Sequence, residues 1–340
     1  MKITWINCAP IVATDGSKTS DRVDVRLRSM LPGDELARRG HDVEQVFFQD
    51  LPVRMREPAF FRRDVFVLGK AFVDFSPFIR GIRASGRAKV LIDICDNVFA
   101  PPEDGLKFIY VTLLPQADAV LTSSEFLSEA LQDKVRSGVP LFSIADAVEG
   151  GRVDPDFEPR PGSIRLLWFG YPNNLPLLYK ELPNLSKLTQ IAEVSLSIIS
   201  VWPTQTTFPS AMEGIRLRWL RWSPKVMRDE LKACDLVVIP SDDSPARLTK
   251  SANRIIAAIW AGKFAAAFPL PSYRSFEPFA YVDRDIVAGV RWALENREAT
   301  RERISAGQRF IQQHYAIEPI ADAWERTLAL ITGITAPTNR

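Results

Sequence analysis

The sequence is poor in the residues that build metal sites, disulfide frameworks and histidine-dependent catalysis. It contains 2 histidines and 3 cysteines in 340 residues. His41 and His314 have no Cys, His or acidic partner at metal-ligand spacing, which argues against a zinc site and a Ser/His/Asp triad. The odd number of cysteines, each at the edge of an apolar run, predicts buried thiols rather than disulfides and favours a reducing compartment.

The sequence also lacks an excess of charge of one sign and any long apolar run. It has 43 basic and 41 acidic residues, so a net charge of +2 gives no indication of a nucleic-acid partner. The sequence shows neither an N-terminal apolar h-region nor an uninterrupted apolar stretch of about 18 residues, which argues against a signal peptide and a membrane-spanning helix. These absences predict a cytoplasmic protein, with a position at the inner face of the membrane left open.

Apolar runs that alternate with helical patterns divide the chain into two halves. A hydrophobic fraction of 46% in 340 residues suffices for two separate cores. Strands separated by helices predict an α/β protein with two mostly parallel, Rossmann-like sheets. The segment 146–163 has three prolines, three glycines and no apolar periodicity, which is typical of a domain boundary. We therefore predict domains at 1–150 and 151–315, followed by a C-terminal helix within 316–340.

The most informative segment is 250–263, which follows the strand-like run 236–240 and reads KSANRIIAAIWAGK. We predict that Ser251 caps a helix whose first turn offers unpaired N–H groups and the positive end of the helix dipole. Lys250 and Arg247 stand just outside that end, so the segment predicts an anion site. Gly262 is the predicted stop of the helix. The alternative is a solvated basic helix start.

This segment resembles the donor-binding helix of GT-B fold glycosyltransferases, in particular the retaining, nucleotide-sugar-dependent members of the family four-like, group 1 type. Their pattern reads like NKLLEALAAG, which residues 253–262 match except at one conspicuous position. The glutamate that usually takes the ribose hydroxyls is Ala257 here, and its partner eight residues earlier is Thr249. The resemblance covers most of the chain. It implies two Rossmann-like domains whose parallel sheets face a central cleft, with the last helix crossing back to the first domain through Trp324 and Leu328.

The resemblance implies that the second domain binds the donor. Gly170 corresponds to the glycine loop after the first strand of that domain, with a Gly, Pro and Asn-rich turn as the alternative. Trp222 follows a later strand where the base would lie, although core packing is the more common role of tryptophan. The predicted donor-binding residues are Gly170, Asn173, Asn174, Trp222, Ser223, Arg247, Lys250, Ser251, Asn253 and Arg254.

The first domain supplies the remaining candidates. Asp96 and Asn97 follow the apolar strand 90–94 and are the predicted catalytic residues near the sugar or acceptor, with capping of the next segment as the alternative. Gly16 and Arg22 are candidates for binding an anionic acceptor, against the alternative of solvated surface. The segment 54–63 interleaves cations with aromatics, as either a peripheral membrane-docking loop or a mobile surface loop does.

The resemblance implies transfer of a sugar from a nucleoside-diphosphate donor to a glycan or lipid-linked acceptor, in cell-surface polysaccharide or glycoconjugate synthesis. We expect a retaining, metal-independent enzyme with no cofactor, because Arg247, Lys250 and the helix end would stabilise the diphosphate. A nucleotide-sugar epimerase of the same fold is one alternative, but such enzymes use several cleft carboxylates and histidines. The other alternative is a catalytically degenerate GT-B protein that binds a nucleotide or glycan as a partner subunit, which the loss of both glutamates favours.

Overall fold

The computed structural model describes residues 1–14, 17–86, 88–101, 104–202 and 207–334. They form two compact units. The first unit comprises Met1–Glu149, Leu248–Ser251 and the tail from His314, and the second comprises Gly150–Arg247 and Ala252–Gln313. The division after Glu149 lies within the segment 146–163, whereas the short segment Leu248–Ser251 leaves the second half of the sequence and joins the first unit.

The first unit is built on a six-stranded parallel sheet, with a small hairpin after its first strand. The strands are β1 (Lys2–Asn7), the hairpin strands β2 (Val12–Thr14) and β3 (Ser17–Thr19), β4 (Asp42–Phe47), β5 (Val65–Leu68), β6 (Lys89–Ile94), β7 (Ala119–Thr122) and β8 (Leu141–Ser143). Their order in the sheet is β4-β1-β5-β6-β7-β8. Every residue of β5 and β7 is buried, as expected for parallel strands covered on both faces. The order reverses between β1 and β5, and such a switch point is where sheets of this type bind ligands.

Helices cover the two faces of this sheet. They are α1 (Val23–Val25), a π-helix (Arg26–Met30), α2 (Leu31–Arg38), α3 (Leu51–Arg54), α4 (Ser76–Ser85), α5 (Lys107–Leu113) and α6 (Glu125–Leu131). Short 3-10 helices lie at Phe48–Asp50, Pro58–Phe61, Asp104–Leu106 and Leu114–Gln116. Ser124 caps α6 by accepting the backbone N–H of Leu127 at 3.1 Å.

The second unit has a seven-stranded sheet. Its strands are β9 (Ser163–Phe169), β10 (Glu193–Ser200), β11 (Ala211–Met212), β12 (Ile215–Arg221), β13 (Leu236–Ile239), β14 (Phe264–Ala267) and β15 (Tyr281–Val282). They are ordered β11-β12-β10-β9-β13-β14-β15, and the short strand β11 pairs with β12 in the antiparallel sense. The order reverses between β9 and β13, which places the switch point of this sheet beside the loops that follow those two strands.

The helices of the second unit alternate with its strands. They are α7 (Leu175–Leu185), α8 (Pro224–Ala233), α9 (Pro245–Leu248), α10 (Asn253–Trp260), α11 (Ile286–Glu295) and α12 (Arg297–His314), with 3-10 helices at Pro172–Asn174, Ser186–Gln190 and Pro271–Phe276. The predicted stop of α10 is confirmed, since Gly262 has φ +75° and a Cβ there would lie 2.5 Å from the carbonyl oxygen of Asp154. The predicted cap is wrong, because Ala252 occupies the N-cap of α10 and has no side chain that could accept a hydrogen bond.

The last helix, α13 (Ile317–Thr332), packs on α2 of the first unit. Trp324 and Leu328 lie in one apolar cluster with Ile3, Trp5 and Leu36. The predicted return of the C-terminal helix to the first half of the chain is therefore confirmed.

The segment 54–63 contributes to the first core. Phe60 is 3% exposed and stacks on Phe78, and Phe61 packs against the same ring. The guanidinium groups of Arg54 and Arg63 pair with carboxylates of β4. Phe60 and Phe61 thus pack inward, Arg54 and Arg63 pair at the edge of the sheet, and Arg56 and Arg62 are exposed. None of the described helices combines the length and apolar character needed to cross a membrane.

Candidate functional site

The carboxylate of Asp96, just beyond β6, binds two lysines. Its Oδ2 accepts a hydrogen bond from the ammonium of Lys70, which follows β5, at 2.5 Å. Its Oδ1 accepts one from the ammonium of Lys250 in the segment Leu248–Ser251. The side chains become more exposed along this series, from 7% for Lys70 through 16% for Asp96 to 24% for Lys250. A predicted catalytic residue and a predicted donor-binding residue thus meet at the carboxyl edge of the first sheet.

The two ammonium groups decide the charge of Asp96. Burial alone would raise the pKa of this carboxyl, but the charges of Lys250 and Lys70 and their hydrogen bonds hold its pKa well below the usual range. Asp96 is therefore ionised throughout the physiological range. A carboxylate of this kind orients cations and contributes charge, whereas a general acid needs a proton to give.

Lys250 and Ser251 lie in the first unit because their side chains are bound there. Ser251 Oγ donates to Asp146 Oδ2 at 2.5 Å, and the backbone carbonyl of Thr249 accepts the hydroxyl of Ser124 at 2.9 Å. The helix-capping role predicted for Ser251 is wrong for this reason, since its hydroxyl serves a carboxylate 105 residues earlier in the chain. Three successive residues are thus anchored by polar contacts.

A buried arginine binds the carboxylate of Asp146, which holds Ser251. Arg28 of the π-helix binds Asp93 through two N–H groups, at 2.8 and 2.6 Å, and reaches Asp146 at 3.1 Å. Burial would lower the pKa of Arg28, but the charge of Asp93 raises it above the ordinary value. Arg28 is 3% exposed. The network fixes the carboxylate that holds Ser251.

The other first-unit candidates have local partners. Asn97 is 7% exposed, and its Oδ1 accepts the backbone N–H of Phe99 at 3.1 Å, as the capping alternative predicted for this position. Arg22 binds Asp24 at 2.9 Å, and its guanidinium lies 5.3 Å from the ring centre of Phe72. Gly16 lies outside the described residues.

In the second unit, the glycine loop and α9 meet around a buried arginine. Arg247 is 6% exposed, and its guanidinium donates to the side-chain oxygen of Asn174 and to the backbone carbonyl of Asn173, the latter at 3.4 Å. At Gly170 a Cβ would lie 3.1 Å from the ring of Trp168, so the space above the end of β9 admits no side chain without a shift. The structure therefore brings together predicted donor-binding residues from the loops after β9 and β13, at the switch point of this sheet.

The start of α10 carries the other predicted cation of this unit. Arg254 hydrogen-bonds Tyr273 and, among the described residues, its Nη1 is buried without a hydrogen-bond partner. Ser241 Oγ, two residues beyond β13, is likewise buried without a hydrogen-bond partner among the described residues. Asn253 and Ala257 are half-buried on the same helix. Buried donors without a partner are uncommon and call for a ligand or water that satisfies them.

The two candidates after β12 take part in local hydrogen bonds of the second unit. Ser223 caps α8 by accepting the backbone N–H of Val226 at 3.1 Å. The backbone N–H of Trp222 donates to the carbonyl of Ser200 at 2.7 Å. Trp202, which lies just beyond β10, is 7% exposed and packs edge-on against Trp219 in the core of the second unit.

The sequence reasoning missed Lys70, which completes the Asp96 cluster. Lys70 follows Gly69 just beyond β5, a strand in which every residue is buried, and so lies at the same carboxyl edge of the sheet as Asp96. This position is the signal in the sequence that points to it. The cysteines are free thiols in the described chain, and burial raises the pKa of Cys8 and of Cys234 to about 12. Within the ranges described above, no group of three or more His, Cys, Asp or Glu side chains is placed to hold a metal ion.

No protein-family model and no curated protein sequence matches the chain, whereas solved structures do. HepE of Anabaena, in its complex with UDP-glucose, is 12% identical and superposes with a TM-score of 0.67 over 97% of this chain and 100% of HepE. A glycosyltransferase from Rickettsia africae is 10% identical, with a TM-score of 0.64 over 97% of this chain and 98% of its own. A mutant of TarM from S. aureus, in a complex that includes UDP, is 11% identical, with a TM-score of 0.57 over 82% of this chain and 59% of its own.

The matches to HepE and to the Rickettsia enzyme extend over both units, because each covers 97% of this chain. At 10 to 12% identity they establish the architecture and not the chemistry. The chain has the GT-B fold.

Proposed function

We propose that the protein transfers a sugar from a nucleoside-diphosphate donor to a glycan or lipid-linked acceptor. The observation that carries this proposal is the match of the fold, over 97% of the chain, to the whole of HepE in its complex with UDP-glucose. The neighbours' ligands make UDP the first nucleotide to test. A retaining outcome, a place in cell-surface polysaccharide or glycoconjugate synthesis and a location at the inner face of the membrane belong to the same proposal.

The donor groups of the second unit support binding of an anion. The guanidinium of Arg247 is almost wholly buried beside Asn174, at the sheet edge where ligands of this fold class bind. Arg254 Nη1 and Ser241 Oγ are buried donors that lack a partner among the described residues. A diphosphate supplies acceptor oxygens for all of them, since guanidinium groups bind phosphate oxygens through directed, charge-assisted hydrogen bonds.

In this proposal the cations carry the chemistry of the leaving group. Breaking the bond between the sugar and the diphosphate leaves negative charge on the phosphate, and fixed cations stabilise that charge as it develops. Arg247 and Arg254 take this part, so divalent metal is not required. Asn253, one turn before Ala257, is the candidate to hold the ribose where the related enzymes use a glutamate.

In the first unit, Asp96 is the candidate contact for the sugar or acceptor, and Lys250 is the candidate contact for a phosphate of the donor. Because Asp96 is ionised and bound to two ammonium groups, we assign it an orienting and electrostatic role rather than proton donation. Lys250 is the most exposed member of the cluster and has further N–H donors to offer to a ligand.

Calorimetry with UDP in excess chelator tests donor binding, followed by transfer or hydrolysis assays with a panel of UDP-sugars. We expect binding that survives chelation and turnover with at least one sugar. The Arg247→Met variant should lose most of the affinity, while Arg216→Met, at a guanidinium that is 73% exposed on β12, serves as the matched control. Failure of every nucleotide to bind at millimolar concentration would defeat the proposal.

The second candidate function is a degenerate GT-B subunit that binds a nucleotide or glycan without turnover. The residues that favour it are Thr249 and Ala257, which stand where the related enzymes have glutamates. Tight nucleotide binding with no transfer and no hydrolysis of any donor sugar would select this candidate over the enzyme.

A further inference from the structure

Asp96 bridges two lysines, Lys70 and Lys250, that differ in exposure. One carboxylate oxygen faces Lys70, which is buried at the end of β5, and the other faces Lys250. Lys70 is fixed by the first sheet, since it follows a strand in which every residue is buried. Lys250 sits on the short segment Leu248–Ser251, which is tied to the rest of the unit by hydrogen bonds to Ser124 and Asp146. The buried end of the bridge is therefore Lys70, and the accessible end is Lys250.

A carboxylate that faced Lys250 alone would have two effects on a ligand anion. It would occupy the ammonium of Lys250, and its negative charge would repel the ligand anion. With Lys70 on the other oxygen, the charge of Asp96 is shared between two ammonium groups at hydrogen-bond distance. Lys250 can then direct its other N–H donors at a ligand, because an ammonium has three.

We propose that Lys70 is a positioning residue that neutralises and orients Asp96, so that the ammonium of Lys250 is available to an anionic group of the substrate. This inference deepens the proposed function and rests on it for the identity of the anion, a phosphate of the donor. Lys70 acts through Asp96 and not by touching the ligand. That route distinguishes it from Lys250, which contacts the anion.

The first arm of the test needs no ligand. The rate at which an amine-reactive reagent acylates Lys250 is measured by peptide mass spectrometry in the wild type, Lys70→Met and Asp96→Asn, because an amine that is hydrogen-bonded to a carboxylate must leave it before it can react. Lys70→Met should slow the labelling of Lys250, and Asp96→Asn should accelerate it. Lys134, which is paired with its neighbour Asp133 on the surface, is the internal standard whose rate should stay constant. Equal rates for Lys250 in all three proteins would overturn the inference.

The second arm measures binding of UDP and of uridine. Lys250→Met should lower the affinity for UDP by about tenfold or more, and Lys70→Met by about threefold or more. Neither substitution should change the affinity for uridine. In the Asp96→Asn background the effect of Lys70→Met should largely disappear, since its intermediary is gone. Full additivity of Lys70→Met with both other substitutions would show that Lys70 acts independently and would overturn the inference.

The two arms separate this inference from the proposed function. If the wild type binds no nucleotide, the proposed function fails, and the labelling rates still decide the role of Lys70. Lys134→Met controls for the removal of a positive charge from the first unit, and thermal melting verifies that each variant folds. Lys70→Gln, which keeps a polar group at the end of β5, replaces Lys70→Met if the apolar variant is unstable.

Discussion

Trp324 of α13 packs edge-on against Trp5 of β1, with ring centroids 5.3 Å apart and ring planes at 67°. Each side chain is 1% exposed. Because β1 lies between β4 and β5 in the sheet, this contact ties the C-terminal helix to the interior of the first unit rather than to its edge. The last helix is thus a part of the first core, although it is made from the opposite end of the chain.

Trp324→Ala should therefore destabilise the first unit strongly. Removing a buried aromatic side chain of this size costs about 3 to 5 kcal/mol, since the cavity is only partly refilled. Urea unfolding followed by circular dichroism should show the loss, and hydrogen exchange should place it in β1 and α13. Leu330→Ala is the matched control on the same helix, because Leu330 is 74% exposed and its removal should cost no more than about 0.5 kcal/mol. Equal costs for the two variants would contradict this packing.

Glu181 on α7 makes the free energy of unfolding depend on pH. Burial raises the pKa of this carboxyl to about 6, above its ordinary value. A raised pKa means that the folded protein binds a proton more tightly than the unfolded chain, so the associated stability is present at low pH and is lost as the pH rises through about 6. Glu181→Gln should accordingly stabilise the protein at about pH 8, by no more than about 1 kcal/mol after solvent screening, and have no effect at about pH 4. Urea midpoints at the two pH values measure this, with exposed Glu295→Gln as the control. A benefit that is the same under both conditions would rule out the charge as its cause.

Arg247→Met should weaken a nucleoside diphosphate far more than the bare nucleoside. Its guanidinium faces charge that only the phosphates carry, and a charge-assisted hydrogen bond contributes about 1.5 to 3 kcal/mol, or about ten- to a hundredfold in affinity. Titration calorimetry with UDP and uridine on the same variant gives the comparison. Equal losses for both ligands would mean that the substitution disturbs the loop after β9, where Asn174 depends on Arg247, rather than a phosphate contact.

The sequence predicted those parts of the fold that depend on short-range patterns. The strand-like run at 236–240 corresponds to β13, which ends one residue earlier at Ile239, because parallel strands covered on both faces must be apolar at every position. Gly262 marked the end of α10 because its backbone adopts φ +75°, which disfavours other residues. The return of the last helix came from the resemblance and not from any local pattern.

The candidate site depended on partners that are far apart in sequence. Lys250 and Asp96 are separated by 154 residues. No local sequence pattern distinguishes a lysine that pairs with a carboxylate from one that binds a phosphate. The same reason explains Ser251, whose preference for capping yields to Asp146. Arginine side chains usually lie at the surface, yet Arg28 is buried because two buried carboxylates satisfy it. Polar residues at strand ends can be found in the sequence, but their pairing requires the fold.

Weak discrimination against a 2′-deoxy nucleotide should follow from Ala257. This residue is half-buried on α10, at the position where the related enzymes have the glutamate that takes the ribose hydroxyls. A site rejects a missing hydroxyl strongly only when a buried polar partner is left without its hydrogen bond, and a methyl side chain leaves none. Binding of UDP and 2′-deoxy-UDP, compared by calorimetry, should therefore differ by less than about tenfold, and Asn253→Ala should reduce the difference further if this side chain holds the ribose. A preference for the ribonucleotide of about a hundredfold that survives Asn253→Ala would show that another residue has taken over the role of the glutamate.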